Sequence, residues 1–244
     1  MLKRIFIAII VSAACLVASS NAAAQSALRV GAAKVDVTRW SSLPPVTPKY
    51  EHQRVNVRAI VIDNGATRAA LISIPGSNFD WPAISKQVAA ELNCPVDHIL
   101  VSATHSHSYN TARIDPKSAT PDPLTQAAIE AVKQAKTKLQ PARMGFGTGK
   151  AYLNVNRDTI MPETRKWGQC SNLDAPSDKT VSVIKFVSPS GELIAAYTSY
   201  EMHPINAYAV NITSGDFPEA MSRYVEKAFA EKAIVRIDFG YFFS

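Results

Sequence analysis

The chain is short of cysteine, of clustered charge and of long apolar runs, and each shortage removes a class of protein. Three cysteines occur in 244 residues. Neither Cys94 nor Cys170 stands in a Cys-x-x-Cys pair, so the sequence offers no thiolate metal site. In an oxidising compartment those two could form one disulfide, but their spacing does not establish that they meet. No cluster of lysine or arginine stands out, which argues against nucleic acid as a partner. No internal repeat or low-complexity stretch appears. After the first two dozen or so residues, no run reaches the ~20 apolar residues that a membrane-crossing helix needs. The remaining ~220 residues suit one domain.

What is present begins with a leader. Met1-Leu2-Lys3-Arg4 precedes an apolar run from Ile5 to Ala18, followed by Ser19-Ser20-Asn21-Ala22-Ala23-Ala24. A basic start, a short apolar core and small residues at the exit predict a secretory signal peptide cut after Ala24, and a secreted or periplasmic protein. Cys15 raises lipid modification as an alternative, but the apolar run continues past it. Removing residues 1–24 lowers the formal charge from +6 to +4, with 24 basic against 20 acidic side chains. This mild basicity leaves peripheral contact with a membrane open.

Branched residues in rough alternation predict strands over 28–38 and 55–63, separated by a proline-bearing loop over 41–49. Asn64-Gly65 predicts a hairpin into 67–74. Ile84, Val88 and Leu92 recur at intervals of four, so 82–92 reads as a helix. A short buried strand over 97–103 follows. The stripe Leu124, Ala128, Ala131, Val132, Ala135, Leu139 makes 123–139 the clearest helix. A strand is expected over 142–149, a loop over 159–177, and a hairpin from 181–187 and 193–199 around Pro189-Ser190-Gly191. Asp216 is placed to cap a helix over 217–231 whose buried face is Met221, Val225 and Phe229. A strand from 233 to 238 then leads into Phe239-Gly240-Tyr241-Phe242-Phe243-Ser244, whose aromatics are either exposed or packed on the core. Strands and helices in this order predict an α/β fold, mixed β-sheets flanked by helices. They do not fix the strand order.

The most informative residues are His105-Ser106-His107, with His203 far along the chain in Met202-His203-Pro204. On an extended chain, residues two apart point the same way, so His105 and His107 are expected on one side. A distant third imidazole could complete a metal-binding corner, since a catalytic zinc has three protein ligands and a water. Such an ion acidifies water and polarises a carbonyl. His-x-His also occurs by chance in ordinary strands.

The motifs are similar to those of one family. Val101-Ser102-Ala103-Thr104-His105-Ser106-His107-Ser108 resembles the Ser-Ala-Thr-His-Thr-His-Ser-Gly signature of the neutral/alkaline, non-lysosomal ceramidases. In the family order follow Val30 to Thr38, Asn154-Val155-Asn156-Arg157-Asp158, Asp178-Lys179-Thr180, Glu201-Met202-His203-Pro204 and Ser214-Gly215-Asp216-Phe217-Pro218. The resemblance implies a ceramidase-like catalytic domain and a zinc amidohydrolase of N-acyl bonds, acting on a lipid or related amide. It implies zinc ligation by His105 and His203. His107 would lie beside the metal, hydrogen-bonding substrate or oxyanion, and Arg157 would hold the head group or developing charge. Where the family continues Ser-Gly-Pro after the second histidine, this chain has Ser108-Tyr109-Asn110, which alters the loop at the mouth of the site. The family's remaining ligands, a glutamate and a tyrosine, lie in a portion with no counterpart here. The expectation is an N-terminal portion, residues 25–244, incomplete at its C-terminus.

Plainer readings stand beside these. His107 could be a histidine bonded within the strand end, and Arg157 a surface residue paired with a carboxylate. Asp36 and Asp216 read as structural, Asp216 as a cap or as a group orienting a histidine. His52 and His98 read as loop residues. The alternative for the whole chain is a non-catalytic exported protein that keeps the fold and binds lipid or a partner.

Overall fold

A computed structural model describes residues 28–44, 54–77, 79–110, 122–230, 234–238 and 242–243. The first half consists of β1 (Arg29–Asp36), β2 (Asn56–Asp63), β3 (Arg68–Ile74), α1 (Trp81–Leu92), β4 (Ile99–Ala103) and α2 (Pro123–Thr137). Then come β5 (Gln140–Pro141), β6 (Arg143–Lys150), β7 (Asn156–Ile160), β8 (Trp167–Asn172), β9 (Thr180–Val187) and β10 (Leu193–Tyr200). The last elements are α3 (Asp216–Ala228), β11 (Ile234–Asp238) and β12 (Phe242–Phe243). One six-stranded sheet has the order β12-β4-β3-β2-β1-β5, a four-stranded sheet the order β11-β10-β9-β6, and β7 pairs with β8 alone. The expected α/β class holds.

Strand β2 shows how the layers arise, because seven of its eight residues are buried. Its odd positions, Val57, Ala59 and Val61, share a core with Ile84, Val88 and Leu92 of α1 and Leu124, Ala128, Ala131 and Val132 of α2. Its even position Ile60 joins Val30 and Ala32 of β1 against Phe186, Ala195 and Tyr197 of the smaller sheet. Period-two alternation thus feeds two cores at once. Burying a side chain the size of Ile or Phe contributes roughly 1.5–3 kcal/mol. Gly31 permits the close approach of β1 to α2, since a Cβ there would sit 2.1 Å from the Ala135 carbonyl oxygen. Both helices start at aspartates: Asp80 accepts from the Ala83 amide at 3.0 Å, and Asp122 from the Thr125 amide at 3.1 Å.

Two expectations need correction here. The stretch 159–177 is not all loop, because it holds β8 and the end of β7, paired as an antiparallel ribbon. Most residues of both strands are exposed, so no alternation of apolar and polar residues marks them. The buried face of α3 is also different. It consists of Asp216, Pro218, Glu219, Ser222 and Glu226, while Phe229 is exposed and Met221 and Val225 are half-buried. Apolar periodicity missed this because α3 packs on charge. Arg58, inward-facing on β2, donates from Nη1 to Glu219 Oε2 at 2.6 Å and from Nε to Glu226 Oε1 at 3.0 Å. Asn56 donates to Glu219 at 2.6 Å, and Lys34 Nζ to Glu226 Oε2 at 2.6 Å.

The tail strand expected from 233 exists as β11, which lies parallel to β10. β12 pairs antiparallel to β4, at the other end of the larger sheet from β5. Whether the terminal aromatics are exposed falls outside the described side chains, as does His52. Cys94 and Cys170 are both free thiols, so the disulfide does not form. His98 is a packing residue, its Nδ1 within hydrogen-bond reach of Thr67 Oγ1 and the Arg68 carbonyl.

Breaking the buried ion cluster should be costly, because removing one member leaves charge without compensation. Arg58→Met is expected to lower unfolding free energy by about 3–5 kcal/mol in urea titrations at neutral pH. Burial opposes charge on Glu226, but Arg58 and Lys34 outweigh it and hold the carboxyl below its ordinary value of 4.5. The unfolded chain therefore takes up that proton first. The stability it contributes is present above the ordinary value and is lost as pH falls through the depressed one. In Arg58→Met this share of the acid-side loss should shrink.

Candidate metal centre

The parallel pairing of β3 and β4 carries both strand ends to the same edge, and the loop after β4 stays tied to β3. The Thr104 amide donates to the Ile74 carbonyl at 2.8 Å and the His105 amide to that of Gly76 at 3.1 Å. His105 has φ of 59°, in the left-handed region. The strand has therefore ended at Ala103, and the two histidines do not share a side through simple pleating, as an extended chain would require. The left-handed step costs about 1 kcal/mol, and the surrounding bonds hold it.

Those bonds converge on Asp216, at the first turn of α3. Its Oδ2 accepts from Ser106 Oγ at 2.6 Å, and its Oδ1 from Ser108 Oγ at 3.1 Å and from the Ala207 amide at 2.9 Å. Ser106 and Ser108 are buried, so each histidine of the motif is followed by a serine turned inward. The Ser214 amide donates to the Ser108 carbonyl at 2.7 Å, and the His107 amide to the Pro204 carbonyl at 3.1 Å. Asp216 is not the helix cap expected from the sequence. Gly215 occupies that position without a side-chain bond, and Asp216 itself has φ of 50°.

The result brings three imidazoles together. Ring centroids lie 5.1 Å apart for His105 and His107, 5.2 Å for His105 and His203, and 4.6 Å for His107 and His203. One ring nitrogen from each can be chosen so that all lie within 4.8 Å of one another. Arg157, on β7, reaches the same group, its Nη1 lying 2.5 Å from His203 Nδ1. A guanidinium only donates, so His203 Nδ1 accepts, and the ring proton sits on Nε2. From there it points to His107 Nε2, 2.9 Å away. Tyr208 meets the His107 ring edge-on at 5.8 Å.

Burial, then the charges of Arg157 and the neighbouring imidazoles, depress the His203 pKa to about 4. His105 is lowered by burial, then by His107 and Arg157. Both rings are therefore neutral at pH 7, the form that binds a metal. Three imidazoles at this spacing fit a divalent cation of the zinc type. Among the described residues no carboxylate joins them. Beside His107 is a cavity of about 230 Å³, lined in part by Gly76, Ser77, Tyr109, Asn110 and Tyr208. It is small beside the ~300–1,000 Å³ of typical ligand sites. The Tyr109-Asn110 departure stiffens this wall. Tyr109 is buried and its hydroxyl donates to the Val37 carbonyl at 2.9 Å, while the Asn110 carbonyl accepts from the Ser42 amide at 2.6 Å.

His105, His107, His203 and Arg157, all singled out from sequence, thus come together. Missed from sequence were the Ser106 and Ser108 anchors and the contact of Tyr208. The alternation His-Ser-His-Ser carried a signal for the anchors. Nothing around Tyr208 marked it.

The fold and these residues define an α/β protein with a histidine corner at its strand ends. No protein-family model matches the chain. It is 26% identical over 192 residues to the neutral ceramidase of Pseudomonas aeruginosa, which covers 70% of this chain and 28% of that protein. It is 26% identical over 185 residues to neutral ceramidase A of Dictyostelium discoideum, covering 68% of this chain and 26% of that one. A crystal structure of the Pseudomonas aeruginosa neutral ceramidase aligns with a TM-score of 0.61 at 20% identity, over 86% of this chain and 38% of that chain. A ceramidase complexed with C2 aligns with a TM-score of 0.61 at 19% identity, over 86% and 37%. The chain is a ceramidase-like relative, and it spans about a quarter of the length of the curated proteins it matches.

Asp216→Ala strands three donors and frees the histidine loop. It is expected to cost about 3 kcal/mol of stability. Metal affinity, read by competition with a chromophoric chelator, should fall roughly 10–100-fold, the range seen when supporting groups around a metal are lost. Asp216→Asn should recover part of both.

Proposed function

We propose that the chain is the N-terminal portion of a zinc-dependent hydrolase of N-acyl amide bonds, acting on a lipid or related amide. The observation that supports this most directly is the convergence of His105, His107 and His203 from segments nearly a hundred residues apart. Likeness to ceramidases supplies the bond type. In this reading His105 and His203 hold the metal, as the family resemblance implies, and His107 stands beside it. Zinc bound there would supply Lewis-acid polarisation of a carbonyl and acidification of water.

The chain's own residues do the rest. His107, exposed and bordering the cavity, hydrogen-bonds the substrate or the oxygen on which negative charge develops. Arg157 is exposed and carries a fixed positive charge, and on leaving His203 it can meet the head group or the oxyanion. A donor of this kind contributes about 3–4 kcal/mol to transition-state stabilisation. Residues 1–24 act as a signal peptide and the protein is secreted or periplasmic. Among the described residues no helix is long and apolar enough to cross a membrane. Contact with the substrate then takes place at a membrane surface.

One observation favours the other reading, a non-catalytic exported protein that keeps the fold and binds lipid or a partner. The described cluster includes no carboxylate or thiolate, and zinc is held less firmly without an anionic ligand.

Metal content after dialysis and hydrolysis of a fluorescent N-acyl substrate, with and without chelator, separate the two. The hydrolase reading expects retained zinc, activity lost with chelator, and zinc retention abolished in His105→Ala and His203→Ala. Arg157→Ala should keep zinc and lose about 100–1,000-fold in kcat. Activity that survives loss of metal or of His105 overturns the zinc mechanism. A folded, metal-free and inactive chain leaves the binding reading.

A further inference from the structure

β7 and β8 form a separate two-stranded ribbon, and its outer end carries an unusual combination of side chains. Ile160 and Trp167 are cross-strand partners, 52% and 76% exposed. Neither belongs to a core cluster. The opposite face of the ribbon is filled differently. A Cβ on Gly168 would lie 2.6 Å from Met161 Cγ, so Met161 covers Gly168 and leaves Trp167 bare. The turn is well formed, with the Met161 amide donating to the Lys166 carbonyl and the Arg165 amide to that of Met161, each at 2.9 Å. Arg165, at φ of 56°, and Lys166 are exposed and make no ion pair among the described residues. Glu163 is the one acidic side chain between Met161 and Trp167.

An isolated two-stranded ribbon is marginal in water, and a cross-strand Trp–Ile pair adds only about 0.2–1 kcal/mol to it. An aromatic ring with a neighbouring aliphatic side chain and two long cations is what a headgroup layer accommodates. Rings sit at the boundary, and cations reach lipid phosphates. We propose that this hairpin is an anchor for an anionic bilayer, with Ile160 and Trp167 entering the headgroup boundary and Arg165 and Lys166 pairing with lipid phosphates. The formal charge, +6 for the whole chain and +4 without residues 1–24, has the matching sign. Arg157 lies three residues before Ile160 on the same strand, so at ~3.4 Å per residue the anchor starts about 10 Å from the group that touches His203. Anchoring therefore brings the imidazole cluster to the membrane surface. The idea goes beyond the hydrolase reading and is tested apart from it, because vesicle binding needs neither metal nor turnover.

The full chain is mixed with vesicles of phosphatidylcholine alone, or of phosphatidylcholine with phosphatidylglycerol, and sedimented. Expected are salt-sensitive binding to the anionic vesicles, weak binding to the neutral ones, and quenching of Trp167 emission by brominated lipid. Ile160→Ser with Trp167→Ser should weaken partitioning about tenfold or more. Arg165→Glu with Lys166→Glu should weaken it about tenfold on anionic vesicles only, and this pair, at exposed turn positions, keeps the test readable if the apolar variant unfolds. His105→Ala and His203→Ala should bind as the parent chain does, whatever their metal content. Absence of binding to both vesicle types overturns the proposal. So does parental binding by both hairpin variants with unchanged far-ultraviolet circular dichroism, or burial of Trp167 in a self-association that lipid does not compete away.

Discussion

The arrangement of the histidines depends on one carboxylate. Asp216 is buried and receives the hydroxyls of Ser106 and Ser108 and the amide of Ala207. Two of those donors belong to the segment that carries His105 and His107, and the third to the segment just after His203. A single acceptor with several lone-pair sites thus joins parts of the chain about a hundred residues apart. Burying a charge is tolerable only when it is fully bonded, so the same condition that protects Asp216 fixes the loops around it. The left-handed backbone at His105 and at Asp216 itself is the local cost of that closure.

Asp216 can act there only because α3 is docked, and α3 docks through charge. Glu219 and Glu226 lie one and nearly three helical turns further along, on the buried side, and both meet Arg58. Arg58 shares its strand face with Ile60, so the ion cluster continues the apolar core between the sheets in another chemistry. An arginine fork that satisfies two carboxylates with directed bonds constrains the rotation of the helix more tightly than an apolar stripe would. That rotation sets where the Asp216 carboxylate points.

This division explains what could be read in the sequence. The apolar part of the fold was legible: Ile84, Val88 and Leu92 on one helix and the alanine-rich stripe of the other lie where period and spacing put them. Of the site, the three histidines and Arg157 were legible because their residue types are rare and their motifs resemble a family. Strand order was not legible, since the crossover that makes β3 and β4 parallel leaves no local pattern. The docking face of α3 was misread, because a hydrophobic period cannot reveal a helix buried on Glu219 and Glu226. The ribbon of β7 and β8 was not legible, because most of its residues are exposed and carry no alternation by which strands are recognised. In each failure the missing quantity was the identity of the surface opposite.

The imidazole cluster itself contains a competition that follows from proton placement. Arg157 donates to His203 Nδ1, so the ring proton lies on Nε2 and points to His107. A cation held by His203 would need a ring lone pair, and both nitrogens are engaged, Nδ1 by Arg157 and Nε2 by His107. Arg157 and a cation would therefore compete for His203. With His203 holding a cation, Arg157 would present its positive charge, on an exposed side chain, to the space in front of the rings. Such a site would couple cation binding to the freeing of a group that can receive negative charge.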